Sequence, residues 1–268
     1  IVFCLISVLT QKSTEYREKT EFEQIEEVVT EEEKRAIKIP IILNTDDEET
    51  IVELSNQSSE TITYYQPHSV DDLLSMNTDC FGWISIAGTN ISYPVMHTPD
   101  NPQKYLHKSF YGEYSQSGVP FLDSRCNPES TNLIVYGHNM NNDTIFADLC
   151  NYTDYSYFTQ HPTVILETKE ETKEETKEET KEETKEETKE ETKAYIVFAV
   201  MKVKSDDSWY RLITADTKRD YDSKIKYAKS HSLYETGIIP KYNKQLLTLS
   251  TCHGGNSDNR ILVLAVEN

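Results

Sequence analysis

The chain of 268 residues carries a formal net charge of −19 and is long enough for one or two domains. No Lys/Arg cluster interrupts that charge, which argues against nucleic acid as a partner and against attraction to anionic lipid. The 5 Cys are irregularly spaced, with no C-x-x-C pair and no His/Cys cluster, so there is no zinc signature and no cofactor motif. An odd number leaves at least one thiol free in a monomer, the state expected for this chain.

Residues 1–10, Ile-Val-Phe-Cys-Leu-Ile-Ser-Val-Leu-Thr, are apolar, and the chain begins without Met. A membrane span needs about 20 apolar residues. The stretch therefore reads as the tail of a truncated signal-anchor or signal peptide, with a short buried strand as the alternative. Residues 11–65 read as an acidic stalk. Glu15 to Arg35 is dense in Glu and Lys and partly helical in pattern, and Asn44 to Thr63 has too few large apolar residues to fold alone. The globular domain is expected over residues 66–268, about 200 residues, enough for a proper core.

Ser69-Val-Asp-Asp-Leu-Leu-Ser-Met-Asn reads as a short helix with Ser69 as N-cap and Asp71 and Asp72 in its first turn. Gly82-Trp-Ile-Ser-Ile and Asn90-Ile-Ser-Tyr-Pro-Val are two short strands around a turn, and Val119-Pro-Phe-Leu-Asp is a third. Asn132-Leu-Ile-Val-Tyr runs as a strand into Gly137-His138 and a polar turn, which puts a histidine at an open sheet end. Thr163-Val-Ile-Leu and Ala194 to Val203 look like neighbouring strands. Between them, residues 167–193 repeat Glu-Thr-Lys-Glu with 13 Glu, 7 Lys and no apolar residue. Like charges at i and i+4 disfavour a single helix, so the repeat reads as a hairpin loop expanded by repetition, solvated and mobile. Asp216 to Ser230 has a helical pattern, with Tyr221, Ile225 and Ala228 on one face.

The last segment, residues 246–266, is two apolar runs around a loop of turn formers, a β-hairpin. Alternation puts Thr248, Ser250 and Cys252 on one face of its first strand. The seven residues His253 to Asn259 return the chain so that Arg260 lies beside Cys252. A thiolate attacks carbonyl carbon, and a fixed guanidinium suits the oxyanion that develops, so this pairing points to acyl transfer. A general base is still required. His253 follows Cys252 directly, but adjacent strand side chains point to opposite faces. His138 closes a separate strand and can approach across the sheet; from pattern alone both stay open.

These residues resemble a known family. Leu246-Leu-Thr-Leu-Ser-Thr-Cys252 with Arg260 is similar to the nucleophile strand and arginine of the sortases. Leu133-Ile-Val-Tyr-Gly-His-Asn-Met140 resembles the histidine strand of class B. Leu73-Leu-Ser-Met-Asn-Thr-Asp-Cys-Phe-Gly-Trp-Ile84, with Tyr93-Pro-Val, Phe110-Tyr-Gly and Phe121-Leu-Asp123, resembles the amino-terminal region of that class. The resemblance covers about residues 66–268; the Glu-Thr-Lys-Glu insertion departs from it.

It implies a mainly β fold: an eight-stranded sortase-type β-barrel with an N-terminal helix and a helix inserted before the nucleophile strand. It implies a cysteine transpeptidase, anchored by its N-terminus on the extracellular face of a Gram-positive cell membrane and needing no cofactor. Cys252 would attack the Thr carbonyl of an Asn-Pro-x-Thr or Ser-Pro-x-Thr sorting motif in a surface protein and form a thioester. His138 would move protons, Arg260 would hold the oxyanion, and a peptidoglycan amine would resolve the thioester. Ser250, on the Cys252 face, is a candidate substrate contact. The alternatives are a pilin-polymerising sortase and a catalytically silent surface adhesin or scaffold.

Overall fold

A computed structural model describes residues 2–40, 60–174, 185–254 and 256–268. Its centre is a closed eight-stranded barrel. The strands are β3 (Cys80–Ser85), β4 (Ser92–Met96), β5 (Phe121–Leu122), β6 (Asn132–Tyr136), β7 (Thr163–Glu174), β8 (Lys185–Lys204), β9 (Leu246–His253) and β10 (Asn256–Glu267). Around the barrel they run β10-β8-β7-β3-β4-β5-β6-β9. Neighbours are antiparallel except β4–β5 and β6–β9, which are parallel. Two earlier strands, β1 (Arg35–Pro40) and β2 (Glu60–Tyr65), form a separate antiparallel pair. The mainly β barrel expected from the sequence is therefore present.

The barrel closes because its strands carry apolar residues toward the interior and, in several places, toward covering helices. Trp83, Ile84, Val95, Ile134, Val135, Val197, Leu247, Leu249 and residues 261–265 are all fully buried. Each such side chain contributes about 1.5–3 kcal/mol relative to exposure. The helix Val70–Met76 starts where the sequence placed it, with the Ser69 hydroxyl accepting from the Asp72 N–H at 3.2 Å. The helix Lys218–His231 stands before β9 and buries Tyr221, Ile225 and Ala228, the face read from its pattern.

The repeat differs from its expectation as a loop. Its two ends continue the β7–β8 ladder in unbroken register from Thr163↔Ile196 to Glu174↔Lys185. The pairing explains why the repeat can do this. Lys169 faces Glu190, Glu170 faces Lys189, Lys173 faces Glu186 and Glu174 faces Lys185, while the remaining Glu residues face Thr. In this register no like charges are set directly opposite, an arrangement that would destabilise the pairing. A slip by two residues would set Glu against Glu. Residues 175–184, the middle of the repeat, lie outside the described residues.

The segment read as a stalk also differs. The helix α1 (Val2–Val29) rests against the barrel by Phe22, Ile25 and Val29, which share one face at helical spacing. Its acids reach barrel loops: Glu18 accepts from the Ser117 hydroxyl and the Gln116 N–H, both at 2.7 Å, and Glu26 accepts from Ser92 at 2.6 Å. The part of the stalk over residues 41–59 lies outside the described residues.

The expected N-terminal membrane anchor is corrected. The apolar run ends within ten residues and α1 continues through Lys12, Glu15 and Arg17. Among the described residues no helix is long and apolar enough to cross a membrane. The placement on the outer membrane face by such an anchor loses its basis.

Candidate active site

Three neighbouring strands meet at one rim of the barrel. β9 and β10 pair so that Arg260 stands opposite Cys252, as the hairpin length required. On the other side of β9 runs β6, parallel, with Tyr136 level with Ser250. The pairing continues past the end of β6: the Gly137 N–H donates to the Ser250 carbonyl at 3.1 Å, and the Thr251 hydroxyl donates to the Gly137 carbonyl at 2.8 Å. His138 and Cys252 each follow two residues after the Tyr136–Ser250 pair. Gly137 has no substitute here, because a Cβ would lie 2.6 Å from the Phe146 ring. Cys252 thus stands opposite Arg260, and His138 lies just past the end of β6, the strand on the other side of β9.

The His138 ring is half-buried, and its Nε2 lies 3.0 Å from the Leu106 carbonyl. A carbonyl only accepts, so Nε2 carries hydrogen and Nδ1 is the nitrogen left to exchange a proton. Burial holds the imidazole pKa below its ordinary value; the Leu106 carbonyl opposes this and the neighbouring His107 adds to it. The His138 carbonyl accepts from the Phe146 N–H at 3.0 Å, which closes the loop beyond it.

Asn139, the next residue, bridges the two strand ends. Its Nδ2 donates to the Cys252 carbonyl at 3.0 Å and to the Cys150 Sγ at 3.3 Å. The four cysteines whose side chains are described are all free thiols. Cys80 and Cys126 are buried, and burial pushes their thiols up to about 12 and about 11. Burial, then proximity to Cys252, raises Cys150 as well. None of these three is poised as a thiolate nucleophile.

Ser250 does share the Cys252 face, but it is buried, and its hydroxyl is 2.8 Å from that of Tyr210. Tyr210 lies on the 3-10 turn Ser208–Arg211 and stacks on Tyr136 at 6.0 Å. Tyr136 in turn donates to Asp123 at 2.8 Å. Burial pushes the Tyr210 phenol up to about 12, so it serves as a neutral donor or acceptor beneath the site. His253 is one residue further on, on the face of Thr251, Ile261 and Lys202. Burial and the Lys202 charge hold its pKa down. His253 thus lies on the face of β9 opposite to Cys252, whereas His138 follows β6, the strand parallel to β9. Among the described residues no cluster of His, Cys, Asp or Glu could hold a metal ion.

Leu106, His107, Asn139 and Tyr210 were not singled out in the sequence. Asn139 had one local signal, its place directly after His138. The others reach the rim from loops that are distant in the chain.

A sequence model of the family described as "Sortase domain" matches residues 84–268. The chain belongs to the sortase family. Sortase B of Listeria monocytogenes is 30% identical over 183 residues, which are 68% of this chain and 65% of that protein. The chain thus spans just under two thirds of that relative's length. The crystal structure of Clostridium perfringens sortase B is similar with a TM-score of 0.61 at 33% identity, covering 75% of this chain and 100% of that one. A Staphylococcus aureus sortase B–substrate complex is similar with a TM-score of 0.60 at 25% identity, covering 74% of this chain and 83% of that one. These relatives place this sortase in class B.

Proposed function

We propose that this sortase is a cysteine transpeptidase that cleaves surface proteins after the Thr of an Asn-Pro-x-Thr or Ser-Pro-x-Thr sorting motif and transfers them to a peptidoglycan amine. The observation that carries the reading is the β9–β10 register that sets Arg260 opposite Cys252, with His138 just past the end of β6, the strand on the other side of β9.

The chemistry follows from the groups at the rim. The Cys252 Sγ attacks the Thr carbonyl carbon while its proton passes to Nδ1 of His138, which burial keeps neutral in the resting site. Arg260, always charged, holds the oxyanion of the tetrahedral intermediate. The intermediate collapses to a thioester as the C–N bond breaks, and His138 gives its proton to the departing amine. In the second half the acceptor amine attacks the thioester carbonyl, Nδ1 takes the amine proton, and the sulfur leaves and recovers it. Each half-reaction returns the site to its starting charge. Ser250 takes part through Tyr210: the buried pair braces β9 two residues before Cys252.

Cleavage of a fluorogenic peptide with an Asn-Pro-x-Thr motif tests the reading. Cys252→Ala is expected to abolish turnover with an unchanged circular dichroism spectrum. His138→Ala is expected to be nearly inactive while His253→Ala stays active. Undiminished cleavage by Cys252→Ala would remove the enzyme reading.

A further inference from the structure

The 3-10 turn Lys104–His107 approaches His138 twice. Its Leu106 carbonyl takes the Nε2–H bond at the edge of the ring. Its last residue, His107, lies against the face: the two ring centroids are 5.4 Å apart and their planes are inclined by 24°. His107 is exposed, whereas His138 is half-buried. The pair therefore joins one imidazole in contact with bulk water to one at the reacting centre.

We propose that His107 is a functional member of the site, a second imidazole stacked on the first that decides when His138 carries a proton. The inference rests on the reading of His138 as the group that exchanges protons with Cys252 and the substrate amines.

Stacked faces share no hydrogen bond, so no proton passes directly between the rings. Their coupling is through space. Two imidazolium ions at this separation repel, so a proton on His107 opposes one on His138. Burial of His138 acts in the same direction, and only the Leu106 carbonyl favours its charged form. An imidazolium formed on His138 by the thiol proton is then a stronger acid than an isolated one, and it yields that proton to the departing amine more readily.

The other ionisable groups of the packed elements do not reproduce this effect. On the same segment Lys104 is paired with Asp79, and Lys108 donates to the Gly112 carbonyl at 2.8 Å. The thiol of Cys150, on the turn Ala147–Thr153, is pushed up by burial and stays neutral. Arg260 on β10 carries a guanidinium and stands opposite Cys252 on β9.

The test follows the ring-proton resonance of His138 by NMR from about pH 4.5 to 8.5, assigned with His138→Gln. The chain is compared with His107→Phe, which keeps an aromatic face without charge, and His107→Lys, which is charged throughout. The His138 midpoint is expected highest in the Phe variant, lowest in the Lys variant, and between them in the unaltered protein. Salt at about 1 M, where the screening length falls to about 3 Å, is expected to move the unaltered protein's midpoint up toward the Phe value and leave the Phe variant in place.

Coincident midpoints in the three proteins, or no salt response in the unaltered chain, overturn the inference. The salt series decides it even where a variant fails to fold. Peptide cleavage separates the two readings: the His138 limb of kcat/KM moves in the same order. Ordered midpoints in a protein without turnover would sink the transpeptidase reading and leave the coupling intact.

Discussion

Two hairpins of the same barrel are built to opposite ends. β9–β10 is apolar along most of its length, and its residues are buried as far as Thr251. Its register is fixed by packing, because both faces are buried and a one-residue slip would exchange the side chains of one face for those of the other. β7–β8 is apolar only where it belongs to the barrel, then runs on as Glu, Thr and Lys. There the register continues that of the barrel and sets Glu opposite Lys or Thr. The first hairpin holds reactive groups level with one another at the rim; the second carries a repeated sequence away from it.

The difference predicts that one hairpin governs turnover and the other governs stability. Arg260→Ala provides the largest effect. Removal of one oxyanion donor costs about 10²–10³ in kcat. Arg260 is half-buried at the end of the barrel, so the melting temperature should change little. Comparable losses of stability and turnover would mean that the guanidinium holds the hairpin together rather than serving the reaction.

Arg260 and Cys252 were legible in the sequence because their pairing is local: a loop of known length between two apolar runs sets them opposite. The strand bearing His138 was legible as a strand, and the short strands as an all-β fold, which the family resemblance narrowed to a barrel. Its parallel contact with β9 was not, since sequence separation of more than a hundred residues leaves no local trace. The same holds for the Leu106 carbonyl and His107, brought to the site by a turn with no periodicity of its own. Ser250 shows the limit of alternation: it gave the face correctly, but Tyr210, which covers it, comes from another segment. The acids of α1 read as solvated charge, and they dock because Ser92, Gln116 and Ser117 supply donors from the barrel.

The next test lies where the repeat joins the barrel. Glu167, the first residue of the repeat, is buried. Its carboxylate accepts from the His68 N–H at 3.0 Å and lies 2.7 Å from His68 Nδ1. His68 stacks on Trp83 at 4.5 Å, and its Nε2 is 3.8 Å from Glu26 of α1. Burial alone would pull the His68 pKa down, but its bonds to Glu167 and Glu26 outweigh that and raise it. A raised folded value means that the charged form stabilises the fold. That contribution is complete below the unfolded value of about 6.5 and fades as pH rises through the folded one. Glu167→Ala should therefore cost about 1–3 kcal/mol at acid pH, from one unmade bond to a buried group, and less at alkaline pH. Peptide cleavage, corrected for folded fraction, should be unaffected. Urea unfolding at the two pH values checks this; a cost that grows with pH would reverse the assignment.

The smallest effect is expected further out along the same hairpin. Glu190 accepts from the Asp71 N–H at 3.1 Å, and Lys169 is 2.5 Å from Asp71, so these inner repeat residues cap and brace the helix Val70–Met76. Beyond Glu170 and Lys189 the ladder sets Glu opposite Lys or Thr, and among the described residues no other barrel strand pairs with it there. Exchanging residues 171–188 for a two-residue Asn-Gly turn, which fits a tight hairpin, should leave both melting temperature and turnover nearly unchanged. Loop-closure entropy favours the shorter chain by about 0.6 kcal/mol per halving, which offsets the lost surface pairs. Exchanging all of 167–193 should instead destabilise, because it also removes Glu167 from His68. If the short exchange lowered the melting temperature as much as the long one, stability would lie in the outer ladder itself and not in its anchor at the barrel wall.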